Sequence, residues 1–315
     1  MTPPRPIFLL SLPRSGSTLA QRVLAAHPEV ETAAEPWVFL PHAYALRERG
    51  IVAEYTHVLA ARAVRDFVSA FPNGEDDYYA ELRAFVLALY ANASHGEPRY
   101  FLDKTPRYHF VLPELFRTFP DAKVVFLWRN PLAVVASIVR TWTKGKWNVD
   151  RWRGDLRGIG DLVDGYREHA STTLAVRFED LVSNPEGTWP TVFDYLELEF
   201  DPALLEGFAD VRLAGRMGDP TGVDRYRELS TEPLGKWKGT LGHPVRKRWC
   251  REYLEWIGPE RLTVMGYDQA ELLDALERLP STPRMLGSDL VHGGYWAVAR
   301  HRKEAAYRRM TPRVR

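Results

Sequence analysis

The chain has 315 residues, of which 45% are hydrophobic and 26% are charged, and its formal net charge is +1. A chain of this length buries roughly three quarters of its unfolded surface, so these values favour a globular protein and exclude a disordered one. The balanced charge argues against a general nucleic-acid-binding protein. The single cysteine, Cys250, excludes an internal disulfide and a cysteine-rich metal cluster.

The uncharged apolar segments are too short to span a membrane. The longest, residues 84–92 and 131–139, fall far short of the roughly 20 residues that a transmembrane helix needs. At the N-terminus only residues 7–12 form an apolar run, which is shorter than the apolar region of about 7–15 residues in a secretory signal peptide. We therefore expect a soluble, cytoplasmic protein without a transmembrane segment.

Short apolar runs bounded by turn residues predict buried β-strands along the chain. They lie at residues 7–12, 30–34, 100–102, 123–128 and 174–178. Most are followed by apolar residues at helical spacing. These predicted helices lie at residues 17–24, 110–119, 132–142 and 189–196. Because nearly continuous apolar strands alternate with helices, the pattern predicts a parallel sheet that is covered on both faces.

The residues between the second and third predicted strands, about 41–98, show helical spacing throughout. We predict one α/β domain at 1–290, doubly wound around a central parallel sheet, with residues 41–98 as a helical insertion after the second strand. Residues 143–160 and 213–242 are predicted to be loops long enough to be functional. Residues 291–315 form a basic C-terminal tail whose role the sequence leaves open.

The turn between the first predicted strand and helix carries residues that suit a phosphate. Its sequence is Pro13-Arg14-Ser15-Gly16-Ser17-Thr18. Unpaired N–H groups at a helix start and the helix dipole attract an anion, and Gly16 lets the backbone approach it closely. Without Arg14 the segment would be an ordinary turn with Ser17 or Thr18 as the N-cap. The arginine directly after the first strand favours a P-loop-like phosphate turn.

This turn lacks the features of a magnesium-dependent P-loop. A kinase-type loop needs the pattern Gly-x-x-x-x-Gly-Lys-Ser/Thr, and residues 13–18 contain no lysine. The apolar strand 123–128 ends in Arg129-Asn130 where a metal-binding Asp would be expected. We therefore predict a phosphate neutralised by arginine and backbone amides, with no metal. A P-loop nucleotide kinase and a non-catalytic nucleotide-binding protein remain the alternatives.

A second anion-binding group is expected at the end of the strand at 123–128. Ligands of open α/β sheets bind at the carboxyl ends of the strands, where Arg129 lies. A guanidinium pairs bidentately with phosphate, and the hydroxyl of Ser137, eight residues further on, adds a hydrogen bond. The alternatives are a helix cap or a structural salt bridge for Arg129 and a plain helix-surface position for Ser137.

In this order the motifs resemble those of sulfotransferases that use 3′-phosphoadenosine 5′-phosphosulfate (PAPS), most closely the tyrosylprotein-sulfotransferase-like and bacterial branch. Residues 13–18 resemble the family's 5′-phosphosulfate loop, and Arg129 with Ser137 resembles its 3′-phosphate motif. Further segments that match family motifs are Arg177-Phe178-Glu179-Asp180-Leu181, Lys236-Trp237-Lys238 and Met265-Gly266-Tyr267. The resemblance covers most of residues 7–268.

The resemblance implies that the sulfuryl group of PAPS passes in line to a hydroxyl or amine of a small-molecule, glycan or peptide acceptor, leaving adenosine 3′,5′-bisphosphate (PAP). Such a displacement needs positioning and charge stabilisation more than covalent help. The resemblance assigns the general base to Glu35 and the contact with the transferring group to Lys104, with Arg14 adding positive charge. The residues alone instead favour a surface carboxylate for Glu35 and a solvated charge for Lys104.

The same resemblance implies a set of nucleotide-binding residues. They are Arg14, Ser15, Gly16, Ser17, Thr18, Arg129, Ser137, Ser230, Lys236 and Trp237. Glu35 is followed by Pro36-Trp37, where many relatives have an acid-rich or arginine-containing stretch, so we expect a differently shaped acceptor side. The sequence names neither the acceptor nor the oligomeric state.

Overall fold

A five-stranded parallel sheet forms the centre of the computed structural model, which describes residues 3–215, 228–281, 287 and 289–291. In chain order the strands are β1 (Arg5–Leu10), β2 (Val30–Thr32), β3 (Tyr100–Asp103), β4 (Lys123–Trp128) and β5 (Leu174–Arg177). Their order in the sheet is β2-β3-β1-β4-β5, and every pairing is parallel. β3 and β4 lie on opposite sides of β1. In open α/β sheets, ligands bind in a crevice at the carboxyl ends of the strands where the chain changes direction in this way.

Both faces of the sheet are buried, as the apolar strands predict. Side chains alternate along a strand, so Phe8 and Leu10 of β1 pack into one hydrophobic core while Ile7 and Leu9 pack into the other. All four are at most 1% exposed. The α/β class and the parallel sheet are therefore confirmed.

Helices cover the two faces of the sheet. Within the described residues they are α1 (Ser17–Ala25), α2 (Phe39–Ala43), α3 (His57–Val68), α4 (Glu75–Ala93), α5 (Leu112–Thr118), α6 (Pro131–Thr141), α7 (Arg153–His169), α8 (Phe178–Ser183), α9 (Pro185–Tyr195), α10 (Leu204–Gly207), α11 (Glu232–Gly235), α12 (Lys238–Leu241), α13 (Pro244–Ile257), α14 (Pro259–Val264) and α15 (Gln269–Glu277). Helices α2 to α4 lie between β2 and β3, so the helical insertion is confirmed. No helix in the described ranges is long and apolar enough to cross a membrane.

The predicted loop at 143–160 is wrong in its second half, because α7 begins at Arg153. The buried side chains of Leu156, Ile159 and Val163 do follow a helical spacing. The three glycines within residues 153–160 made that spacing weak in the sequence. Packing requires a glycine at position 158, since a Cβ there would lie 2.4 Å from the His109 ring. The predicted loop at 213–242 likewise contains the short helices α11 and α12, while its residues 216–227 and most of the predicted tail at 291–315 lie outside the described part of the chain.

Candidate active site

A cavity of about 780 Å³ opens at the carboxyl edge of the sheet, around the turn that follows β1. Ten predicted site residues line it, contributed by segments that are far apart in the sequence. They are Arg14, Gly16, Ser17, Thr18, Glu35, Lys104, Arg129, Ser137, Ser230 and Lys236. The volume lies within the range of roughly 300–1,000 Å³ that is usual for small-molecule sites.

The turn after β1 presents the start of α1 to this cavity. Arg14 and Gly16 both have positive φ angles, of 69° and 90°. Gly16 is the N-cap of α1 and provides no side-chain cap, so neither Ser17 nor Thr18 occupies the N-cap position. A Cβ at Gly16 would lie 2.2 Å from the ring of Phe178, so the turn needs glycine for space as well as for conformation.

The two predicted anion-binding motifs meet in the cavity. Arg14 Nε donates to Ser137 Oγ at 3.3 Å, and Arg14 Nη2 donates to Thr141 Oγ1 at 3.4 Å. Arg129, which is 7% exposed, donates from Nη1 to the Arg14 carbonyl at 2.9 Å. Its guanidinium also lies 4.4 Å from the ring centre of Phe178. The turn, the end of β4 and α6 therefore form one positively charged wall.

Arg140, to which no sequence motif pointed, adds a third guanidinium to this wall. It lines the cavity one helical turn after Ser137 and donates to the Lys236 carbonyl at 2.7 Å. Burial lowers the pKa of Arg140, and the positive charge of Arg14 lowers it further. The spacing of three residues from Ser137 was a signal that could have found it, because residues i and i+3 share a helix face.

Glu35 and Lys104 form an ion pair on the other side of the cavity. They follow the neighbouring parallel strands β2 and β3, whose register pairs Thr32 with Leu102. Lys104 Nζ lies 2.8 Å from Glu35 Oε1, and only 2% of the lysine side chain is exposed, against 13% for the glutamate. A buried ammonium is retained only with such a partner. The solvated-charge interpretation of Lys104 is therefore wrong.

A buried hydrogen-bonded group supports the turn that carries Lys104. The carboxylate of Asp103 is fully buried and accepts hydrogen bonds from Tyr90 at 2.6 Å, Tyr108 at 2.8 Å and Thr105 at 2.8 Å. Burial raises the pKa of Asp103, while the three hydroxyl donors act in the opposite direction. Burial also raises the pKa values of Tyr90 and Tyr108 well above their usual range, so both stay protonated donors.

The remaining predicted residues occupy different places. Ser230 Oγ accepts from the Glu232 N–H at 3.2 Å, and Lys236 forms an exposed ion pair with Glu232 at 2.9 Å. Ser15 is buried and Trp237 packs in the larger hydrophobic core, and neither lines the cavity. Their assignments as nucleotide-binding residues stay predictions.

The family motifs at residues 177–181 and 265–267 stabilise the end of β4. Arg177 donates to both carboxylate oxygens of Asp180 at 2.7 Å and to the Gly266 carbonyl at 2.8 Å. Glu179 accepts from the Asn130 N–H at 3.0 Å and from the Tyr267 hydroxyl at 2.7 Å. Asn130 directly follows Arg129, so these contacts hold in place the strand end that presents the arginine to the cavity.

A model of the sulfotransferase family matches residues 6–202. The chain belongs to the sulfotransferase family. The family and enzyme class predicted from the motifs are thereby confirmed. Nodulation protein NoeE of Sinorhizobium fredii is 38% identical to this sulfotransferase over 304 residues, which cover 84% of this chain and 66% of the relative. Protein-tyrosine sulfotransferase 1 of Danio rerio is 28% identical over 277 residues, covering 83% of this chain and 72% of the relative.

A solved structure shares the fold of this sulfotransferase. The sulfotransferase domain from the curacin biosynthetic pathway aligns with a TM-score of 0.53 and 21% identity, covering 84% of this chain and 98% of that domain. This likeness concerns the fold alone. The chain spans about two thirds of the length of the nodulation protein.

Proposed function

We propose that this sulfotransferase transfers the sulfuryl group of PAPS to a hydroxyl or amine of a small-molecule, glycan or peptide acceptor, without a metal. One observation carries the proposal. The ion pair of Glu35 and Lys104 lines the same cavity as Arg14, Arg129 and Ser137. The candidate base, the candidate charge stabiliser and two anion-binding motifs are therefore within reach of one bound nucleotide.

The residues fit a nucleotide with two separate anionic groups. The first N–H groups of α1 and Arg14 would bind the 5′-phosphosulfate, since a helix start and a guanidinium both stabilise negative charge. Arg129 and Ser137, with Arg140 one turn further on, would bind the 3′-phosphate. The 3.3 Å contact between Arg14 and Ser137 indicates that the two anion sites adjoin.

Glu35 and Lys104 would divide the chemistry between them. Glu35 takes the proton of the acceptor as the acceptor oxygen or nitrogen forms its bond to sulfur. The bond from sulfur to the bridging oxygen of the 5′-phosphate breaks at the same time, and its electron pair leaves with PAP. An ammonium has three donors, so Lys104 can hold Glu35 and also stabilise negative charge that develops on the bridging or sulfuryl oxygens.

Binding and transfer assays test this proposal. PAP should raise the melting temperature without magnesium. At a ligand concentration of 100 Kd, binding adds about 2.7 kcal/mol to the free energy of unfolding by mass action. ³⁵S-labelled PAPS should label at least one member of a panel of phenols, sugars, amines and tyrosine peptides. Stabilisation by ATP only with Mg²⁺, and none by PAP, would support a nucleotide kinase instead. Binding of PAP with no consumption of PAPS would support a non-catalytic nucleotide-binding protein.

A further inference from the structure

The two carboxylate oxygens of Glu35 have different partners. Oε1 accepts from Lys104 Nζ at 2.8 Å, whereas Oε2 accepts from the indole Nε1 of Trp37 at 3.1 Å. We propose that Trp37 is a positioning residue for Glu35. The indole N–H of Trp37 holds one carboxylate oxygen of Glu35, so that the other oxygen faces the acceptor. This inference rests on the proposed role of Glu35 as the general base.

The chemistry of the indole suits this role. An indole N–H is a donor only, so it binds the ionised carboxylate and offers no acceptor for a proton. Each carboxylate oxygen has two lone-pair directions, and Lys104 with Trp37 uses one on each oxygen. The second lone pair of Oε1 is therefore available to accept the acceptor proton, while Lys104 keeps its contact with Oε1 and Trp37 holds Oε2.

The backbone of Trp37 is anchored to the same turn that carries Lys104. Its φ angle is 58°, which a residue with a Cβ rarely adopts. The Trp37 N–H donates to Thr105 Oγ1 at 3.2 Å, and that hydroxyl donates to Asp103 Oδ1 at 2.8 Å. Oδ2 of Asp103 is held by two buried tyrosines. A buried carboxylate thus fixes the position of Trp37 through one threonine.

The plane of the Trp37 ring is also restrained. The guanidinium of Arg107 lies 5.3 Å from the ring centre, and Arg107 is itself paired with Asp155 of α7 through two hydrogen bonds. A tryptophan that served only as packing would not need its N–H aimed at the carboxylate. Three restraints, on the backbone, the ring face and the indole nitrogen, instead converge on one orientation of Glu35.

Four variants test the inference. Trp37→Phe keeps the ring and removes the N–H, and Trp249→Phe is the matched control, since Trp249 is partly buried outside the cavity and its Nε1 has no hydrogen-bond partner among the described residues. Thr105→Val removes the hydroxyl that anchors Trp37, and Thr105→Ser retains it. PAP affinity is measured by calorimetry. The rate of [³⁵S]PAPS consumption is measured against pH, with the acceptor panel and with water alone.

We expect Trp37→Phe and Thr105→Val to bind PAP within about threefold of wild type and to lose at least about tenfold in rate. The acid limb of their rate–pH profiles should move to higher pH, because Trp37→Phe removes a hydrogen-bond donor to the Glu35 carboxylate and Thr105→Val displaces that donor. Trp249→Phe and Thr105→Ser should match wild type. Equal behaviour of Trp37→Phe and Trp249→Phe, or a parallel loss of PAP affinity, would overturn the inference.

A spectroscopic readout separates this inference from the proposed function. The indole N–H signal of Trp37, assigned by its loss in Trp37→Phe, should move in Glu35→Gln and in Thr105→Val but not in Thr105→Ser. An indole N–H signal of Trp37 that does not move in Glu35→Gln would refute the positioning contact even in an active enzyme. Failure of wild type to bind PAP or consume PAPS would refute the proposed function instead, while the signal still reports on the contact.

Discussion

Arg14 and Ser137 are 123 positions apart in the sequence, yet the arginine Nε donates to the serine hydroxyl at 3.3 Å. The contact forms because β1 and β4 are adjacent and parallel, so the turn after β1 and the helix after β4 lie at the same edge of the sheet. It joins two motifs that the sequence presents as separate.

Replacing Glu35 with Gln tests the general base. The amide keeps the size of the side chain but cannot take a proton, so turnover should fall by at least ~10². PAP affinity should stay within a few-fold, because Glu35 faces Lys104 and not the arginine wall. The exposed Glu29→Gln is the control. Equal losses of PAP affinity and turnover would show that Glu35 has a structural role.

Replacing Arg129 with Ala tests the 3′-phosphate site. A charge-assisted hydrogen bond contributes about 1.5–3 kcal/mol, so PAP affinity should fall by at least ~10-fold. Adenosine 5′-phosphosulfate, which lacks the 3′-phosphate, should bind nearly as before. Arg248→Ala, at a side chain that is 79% exposed, is the control in the same calorimetric titration. An unchanged preference for PAP over adenosine 5′-phosphosulfate would remove Arg129 from this role.

Replacing Gly16 with Ala tests the packing of the phosphate turn. The new Cβ would meet the Phe178 ring at 2.2 Å and the residue would keep a positive φ, so we expect a loss of about 1–3 kcal/mol in the free energy of unfolding. Gly145→Ala is the matched control, since its φ is 85° and a Cβ there would meet nothing within 4 Å. Thermal unfolding measures both. Equal losses would exclude the ring contact as the cause.

Replacing Glu197 with Gln tests an ion cluster at the amino ends of the central strands. A hydrogen bond from Lys123 and the charges of Lys123, Arg5 and Arg99 lower the pKa of Glu197. A carboxyl group whose pKa is lower in the folded state stabilises the fold at pH values above its unfolded-state pKa. This stabilisation is lost as the pH falls through the folded-state pKa. The variant should therefore melt below wild type at pH 7, and the difference should shrink as pH decreases below about 4.5.

Melting curves between pH 3 and pH 7 measure this effect, with the exposed Glu206→Gln as the control. High salt should reduce the difference at pH 7, because exposed ion pairs are screened. A difference that persists unchanged at pH 3 would show that the cluster acts through packing and not through charge.

Local patterns were sufficient for much of the fold. The strand predicted at 123–128 is β4 (Lys123–Trp128), because a short continuous apolar run is typical of a strand that is buried on both faces of a parallel sheet. The turn after β1 was equally local, since Arg14, Gly16 and the start of α1 at Ser17 lie within four consecutive positions. The helix α7 was missed because its glycines weakened the helical spacing. The close contacts of Gly158 with His109 and of Gly165 with Leu112 appear only in three dimensions.

The sequence alone therefore determined the α/β class, the order of the strands along the chain and the residue types that suit phosphate and proton transfer. Only the tertiary structure decided which strands are neighbours. That arrangement brings Glu35 to Lys104 across β2 and β3, Arg14 to Ser137 across β1 and β4, and Trp37 to the oxygen of Glu35 that Lys104 leaves open. Such contacts depend on sheet order and backbone conformation, which are set by burial over the whole domain and leave no signal at the residues themselves.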